Sequence, residues 1–127
     1  MEINERMLKN GFMNHNHFSL VELKENESSI LKVELEEIAL NPFGIAHGGL
    51  IFGLGDTAMG VVANTKERQA VTLSSTINYL RPAKGKYILA KAKVVKSGKK
   101  VCYLTVEIVN DKEELVATMD GTYCYVD

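Results

Sequence analysis

Between Glu37 and Lys66 lie 28 residues with one formally charged side chain, Asp56. No other feature restricts the fold as strongly. Its middle, HGGLIFGLGDTAMGVVAN over 47–64, has the length and periodicity of a helix. Leu50, Ile51, Leu54, Ala58, Val61 and Val62 cover more than one face, so the rest of the chain must enclose this helix. Each interior glycine costs about 1 kcal/mol relative to alanine. A helix that keeps Gly53, Gly55 and Gly60 therefore needs another group to approach its backbone closely. Five glycines between Gly48 and Gly60, and the carboxylate among them, argue against a membrane span.

The flanking sequence reads as strands. Phe18, Leu20 and Glu22, then Ile30 to Leu35, alternate around the turn KENESS. After the helix, 69–79 is a strand candidate. In 86–96, Ile88, Ala90, Ala92 and Val94 share a face opposite Lys91 and Lys93. Cys102, Leu104, Val106 and Ile108 share one in 100–110, and Leu115, Ala117, Met119, Tyr123 and Tyr125 share one in 114–126. KSGKK and NDKEE suit hairpins, NPFG marks a loop, and residues 3–13 suit a short helix. The expected class is α+β: one domain over 1–127, with two strands, the enclosed helix and then an antiparallel meander curled around it. At 127 residues and 46% hydrophobic content the chain can bury a core without disulfides. Cys102 and Cys124 are expected to be buried, reduced thiols. The opening MEINERMLKN has acids and no apolar run, so a cytoplasmic protein is expected. A net charge of -1 does not indicate wholesale nucleic-acid binding.

Asp56 has two readings. It is either a hydrogen-bonded structural group or a general base or nucleophile, since an enclosed carboxylate needs partners or water. The helix entry AHGGL has two as well: a tight turn, or Gly48 and Gly49 amides aimed at a developing oxyanion. Gly48 and Asp56 are eight residues apart, a rise of about 12 Å with a rotation near 80° along one helix. One small group cannot readily touch both. If both act on one carbonyl, two chains must supply them, from antiparallel helices related by a twofold axis. His47 is a base, a substrate contact or a structural hydrogen-bonder, and the last two are favoured. His15 and His17 suit a polar loop better than a metal site. Between Arg81 and Lys100 stand eight basic residues and no acid. Lys91 and Lys93 suit a solvated strand face, whereas the loop residues could hold a phosphorylated ligand.

NPFGIAHGGLIFGLGDTAMG, followed by AVTLSSTINYLRPAKG, resembles the PaaI-type acyl-CoA thioesterases of the hotdog superfamily over about residues 41–122. The resemblance implies a hotdog fold, a long helix wrapped by an antiparallel sheet, in dimers that often pair into tetramers. It implies thioester hydrolysis with no metal or cofactor. Asp56 would be the catalytic carboxylate, the Gly48 amide would polarise the carbonyl, Asn41 and His47 would shape that side of the pocket, and Thr72 would position water. Asn41 and Gly48 would come from one subunit, Asp56 and Thr72 from the other. Gly49, Arg81, Pro82, Lys84, Gly98 and Lys99 are candidates for binding the substrate and its CoA phosphates. Phe12, Met13, Phe52, Met59 and Tyr79 are candidates for lining the acyl pocket. Two other readings stay open: a hotdog dehydratase or hydratase working through His47, and a non-catalytic acyl-CoA sensor.

Overall fold

The structure, a computed structural model, describes residues 5–66 and 68–126. Its N-terminal segment forms two short helices instead of one, α1 (Glu5–Leu8) and α2 (Gly11–His15). Asn10 interrupts them. Its side chain accepts from the Phe12 and Met13 amides at 2.9 and 3.2 Å, capping α2. Residues 3 and 4 of the expected helix lie outside the described residues. Then follow β1 (Ser19–Lys24), β2 (Ser28–Glu34) and, after a single 3-10 turn at Glu37–Ala39, the long helix α3 (Gly48–Ala63). Four strands complete the fold: β3 (Ala70–Tyr79), β4 (Tyr87–Ser97), β5 (Val101–Asn110) and β6 (Leu115–Tyr125).

The six strands form one antiparallel sheet in the order β1-β2-β4-β5-β6-β3. The expected meander holds for β4, β5 and β6, but β3 is not part of it. β3 pairs with β6 and forms an edge of the sheet. The connector after β3 crosses back instead of turning tightly. The Leu80 and Arg81 amides donate to the Val116 carbonyl at 2.8 and 3.3 Å, and the Ala46 amide to the Ala83 carbonyl at 3.0 Å. Pairing is interrupted by a bulge in β3, where Thr72 faces Tyr123, Ser74 faces Thr122, and Leu73 is the extra residue.

The sheet curls over α3, whose Leu54, Ala58, Val61 and Val62 pack into a core with Leu31, Val33, Ile88, Leu104, Val106 and Ile108. Each fully buried side chain of this size contributes about 1.5–3 kcal/mol. The helix is less enclosed than expected. Its C-terminal half is buried, but Gly49, Phe52, Gly53, Asp56 and Thr57 are not. Those positions recur at helical spacing, so one stripe of α3 stays open because the sheet covers only the other side. Asn64 secures the helix end: its Nδ2 donates to the Gly60 and Ala70 carbonyls, and its Oδ1 accepts from the Ala70 amide. Cys102 is buried as expected. Cys124 is only partly so, because it lies on the outer side of β6, and neither is in a disulfide. Among the described residues no helix is long and apolar enough to cross a membrane.

Close approach to α3 occurs at Gly53 and Gly55, whereas a Cβ on Gly60 would meet Tyr123 only at an ordinary 3.7 Å. A Cβ on Gly55 would run into the Met119 sulfur, with Ile108 behind it at 3.3 Å. Overpacking of this kind costs about 1–3 kcal/mol, while alanine returns about 1 kcal/mol of helix propensity. Gly55→Ala is therefore expected to lower stability by about 1 kcal/mol in a denaturant melt. Combined with Met119→Ala it should be less unstable than the two single effects added, because the pair shares one space.

Candidate active site

The open stripe of α3 carries the carboxylate. Asp56 sits one turn beyond Phe52 and Gly53 on a cavity of about 550 Å³, which Met7, Phe12, Val71, Thr72 and Tyr123 also line. The Phe12 ring lies over Gly53, where a Cβ would stand 3.2 Å from it. Thr72 and Tyr123 are cross-strand partners, so the β3–β6 register delivers two hydroxyls to one place. Both reach Asp56 Oδ1: Thr72 Oγ1 donates at 2.9 Å and the Tyr123 hydroxyl lies at 2.6 Å. The Tyr123 hydroxyl is also 2.7 Å from the Asp56 carbonyl oxygen. Burial first, and then the charge of Asp56, holds the Tyr123 phenol far above the usual tyrosine range. It stays neutral and remains a donor. Tyr123 was legible in the sequence only as part of an inward strand face.

The start of α3 presents the opposite polarity. His47 is its N-cap, and His47 Nδ1 accepts from the Gly49 amide at 2.9 Å. This gives His47 a structural hydrogen-bonding role and engages the Gly49 amide. Among the described residues nothing accepts from the Gly48 amide, which points out of the first helical turn at the positive end of the helix. The Tyr79 hydroxyl donates to the Gly48 carbonyl at 2.7 Å and ties this end of the helix to β3. Asn41 holds the preceding loop. Its Oδ1 accepts from the Phe43 and Ile45 amides at 2.9 and 3.4 Å, which leaves Nδ2 as its remaining donor.

Asn41 and Gly48 share a cavity of about 530 Å³ with Tyr79, Arg81 and Pro82. Asp56 and Thr72 line the other one, and Gly49 borders both. Within one chain the structure therefore places the amide and the carboxylate in separate cavities. Arg81 also bonds Glu114 at 2.9 Å on the surface. Lys84 is exposed in the same connector, whereas Gly98 and Lys99 lie in the β4–β5 hairpin at the far end of β4. Eleven residues of strand separate those ends, about 35 Å, so one chain does not bring all the basic candidates together. Of the apolar candidates, Phe12 and Phe52 line the Asp56 cavity and Tyr79 the other, but Met13 and Met59 are buried in the core. Among the described residues no group of three or more His, Cys, Asp or Glu could hold a metal ion.

Residues 43–117 match the model of the thioesterase superfamily. The acyl-coenzyme A thioesterase PaaI of Escherichia coli is 37% identical over 83 residues, 65% of this chain and 59% of that protein. Its structure superposes with a TM-score of 0.87 over 99% of this chain and 97% of that one, and shares the hotdog fold. Mouse acyl-coenzyme A thioesterase 13 is 33% identical over 87 residues, 66% of this chain and 62% of its own length. The match thus spans less than two thirds of either curated relative. A Streptococcus mutans protein solved with acetyl-CoA bound has a TM-score of 0.80 and 32% identity, covering 86% of this chain and 88% of that one.

Proposed function

Because the chain belongs to the thioesterase superfamily, we propose that it is an acyl-CoA thioesterase of the PaaI type, acting in the cytoplasm, whose active site is completed by two copies of the chain. One observation carries this reading. A single helix bears a Gly48 amide with no acceptor among the described residues and, eight residues on, a held Asp56 carboxylate, each facing its own cavity. Their separation of about 12 Å along the helix is too long for one thioester carbonyl. A second helix running antiparallel would bring its Asp56 to the first one's Gly48, and the reverse, giving two equal sites.

The edge strand supports a second copy. β3 has ten residues, one strand partner, and Val71 and Leu73 at 51% and 64% exposure. An unpaired apolar edge of that length is normally covered, and pairing with another β3 would continue the sheet. Dimers could pair further into tetramers through the outer sheet face.

In such a site the Gly48 N–H receives the thioester carbonyl oxygen, with Asn41 Nδ2 beside it. Asp56 takes a proton from water as the water oxygen bonds to the carbonyl carbon. The negative charge that develops on the carbonyl oxygen meets the amide at the helix's positive end. Collapse of the tetrahedral intermediate breaks the C–S bond. The CoA thiolate recovers the proton from Asp56, and the free acid remains. Direct attack by Asp56 would instead form an anhydride that water then cleaves. Thr72 orients the carboxylate and can still accept from the water. Arg81, Pro82 and Lys84 lie on the Gly48 side for the CoA phosphates. Gly98 and Lys99 would serve only a site that another copy borders. His47 uses Nδ1 to cap α3, a structural task that favours hydrolysis over a dehydratase reading.

The test is thiol release from a panel of acetyl-, medium-chain, phenylacetyl- and hydroxybenzoyl-CoA. Turnover of at least one is expected. Binding without turnover of any would replace this reading with an acyl-CoA sensor.

A further inference from the structure

The Asp56 carboxylate is held on one oxygen only. Thr72 and the Tyr123 hydroxyl both approach Oδ1, at 2.9 and 2.6 Å, and among the described residues no donor reaches Oδ2. Tyr123 also lies 2.7 Å from the carbonyl oxygen of the same residue, so it braces the side chain against its own backbone. We propose that Tyr123 is a positioning residue of this site: by donating its phenolic proton to Oδ1 of Asp56, it leaves Oδ2 as the oxygen that meets water or the thioester. The proposal rests on the thioesterase reading for its catalytic meaning.

The chemistry favours a tyrosine here. Its ring is buried, at 3% exposure, under the C-terminal half of α3. Tyr123 nonetheless borders the cavity. A neutral phenol is a donor that brings no charge of its own to the carboxylate. Two donors on Oδ1 also draw charge toward that oxygen and fix the plane of the group, so the opposite oxygen projects into the open cavity in one orientation. The threonine proton is engaged by Asp56 as well, which gives Thr72 a part in aiming the carboxylate.

Among the described residues that line the cavity, Asp56 and Tyr123 are the ionisable ones. The N-terminal segment contributes Met7, Asn10 and Phe12, and β3 contributes Ala70, Val71 and Thr72. Behind the phenol, β5 places the Cys102 thiol.

The experiment records kcat and KM for the best acyl-CoA in the full chain, wild type against Tyr123→Phe, with a thermal melt beside them, and follows the Asp56 carboxyl carbon by NMR at one pH, Asp56→Asn assigning the signal. Tyr123→Phe should move the carboxyl signal and lower kcat about tenfold with little change in KM, the scale of one hydrogen bond to a charged group. A folded Tyr123→Phe protein with an unmoved signal and unchanged kcat overturns the proposal. Should that variant not fold, 3-fluorotyrosine placed at position 123 keeps the ring and strengthens the donor. It must then also move the carboxyl signal, and an unmoved signal is equally fatal. If the wild type hydrolyses no thioester, the thioesterase reading fails by itself, while the carboxyl signal still decides the Tyr123–Asp56 bond.

Discussion

Asp56→Asn should lower kcat/KM for the best acyl-CoA by 10²-fold or more, the lower scale of general-base effects, about 2.7 kcal/mol of barrier. The replacement is nearly isosteric. The asparagine oxygen can still accept from Thr72 and from Tyr123, which now bond Oδ1 at 2.9 and 2.6 Å. What changes is Oδ2, the oxygen without a donor among the described residues, which becomes an amide nitrogen with no basicity and no nucleophilicity. The fold should therefore survive, with a melting temperature within a few degrees of wild type, so the loss belongs to the chemical step. The measurement is thiol release beside a thermal melt. Full activity in a folded Asp56→Asn protein would sink both versions of the mechanism.

The second large effect is expected at the helix entry. Gly48→Pro removes the one N–H assigned to the developing oxyanion, a loss of about 10²–10³ in kcat when such a donor is deleted. The helix itself tolerates the change. Gly48 is the first residue of α3, where proline suits the helix. His47, at φ -63 and ψ 137, already has the extended backbone that a residue before proline takes. The Tyr79 hydroxyl, 3.3 Å from a Cβ built on Gly48, must give by a few tenths of an ångström. Co-expression with Asp56→Asn then separates the two architectures. If sites are shared, a mixed dimer joins the intact Gly48 of one chain to the intact Asp56 of the other. Random pairing should then restore about a quarter of wild-type activity. Sites built from one chain would give no recovery, which is what would refute the shared site.

Much of this was legible from residue patterns. The stretch 47–64 carries its own length, cap and apolar periodicity, and α3 runs from Gly48 to Ala63. The inward faces of β4 and β5 follow strict alternation, so Ile88, Ala90, Leu104 and Ile108 fall in the core as read. What alternation cannot supply is which strands become neighbours. β3 pairs with β6 across 38 to 55 residues of chain, and Tyr123 meets Asp56 only because of that register. Seen in sequence, Tyr123 is one more large residue on a core-facing stripe. The two glycine amides were likewise equivalent until the His47 side chain, folded back on Gly49, separated them. The basic residues between Arg81 and Lys100 look like one patch because they are near in sequence. An extended strand instead carries them to opposite ends of the sheet.

The bulge in β3 has a consequence that is a matter of parity. Thr72 bonds Asp56 in the middle of α3, and Tyr79 bonds Gly48 at its start, so both side chains point to the same side of the strand. They are seven residues apart, an odd interval, and in a regular strand an odd interval points two side chains to opposite sides. Leu73 is the one extra step that reverses the count. The length of β3 between its two tethers is thus fixed in parity as well as in reach: a single insertion or deletion there turns one tether to the wrong side of the strand, and a change of two restores the side but shifts that tether by about 6.6 Å.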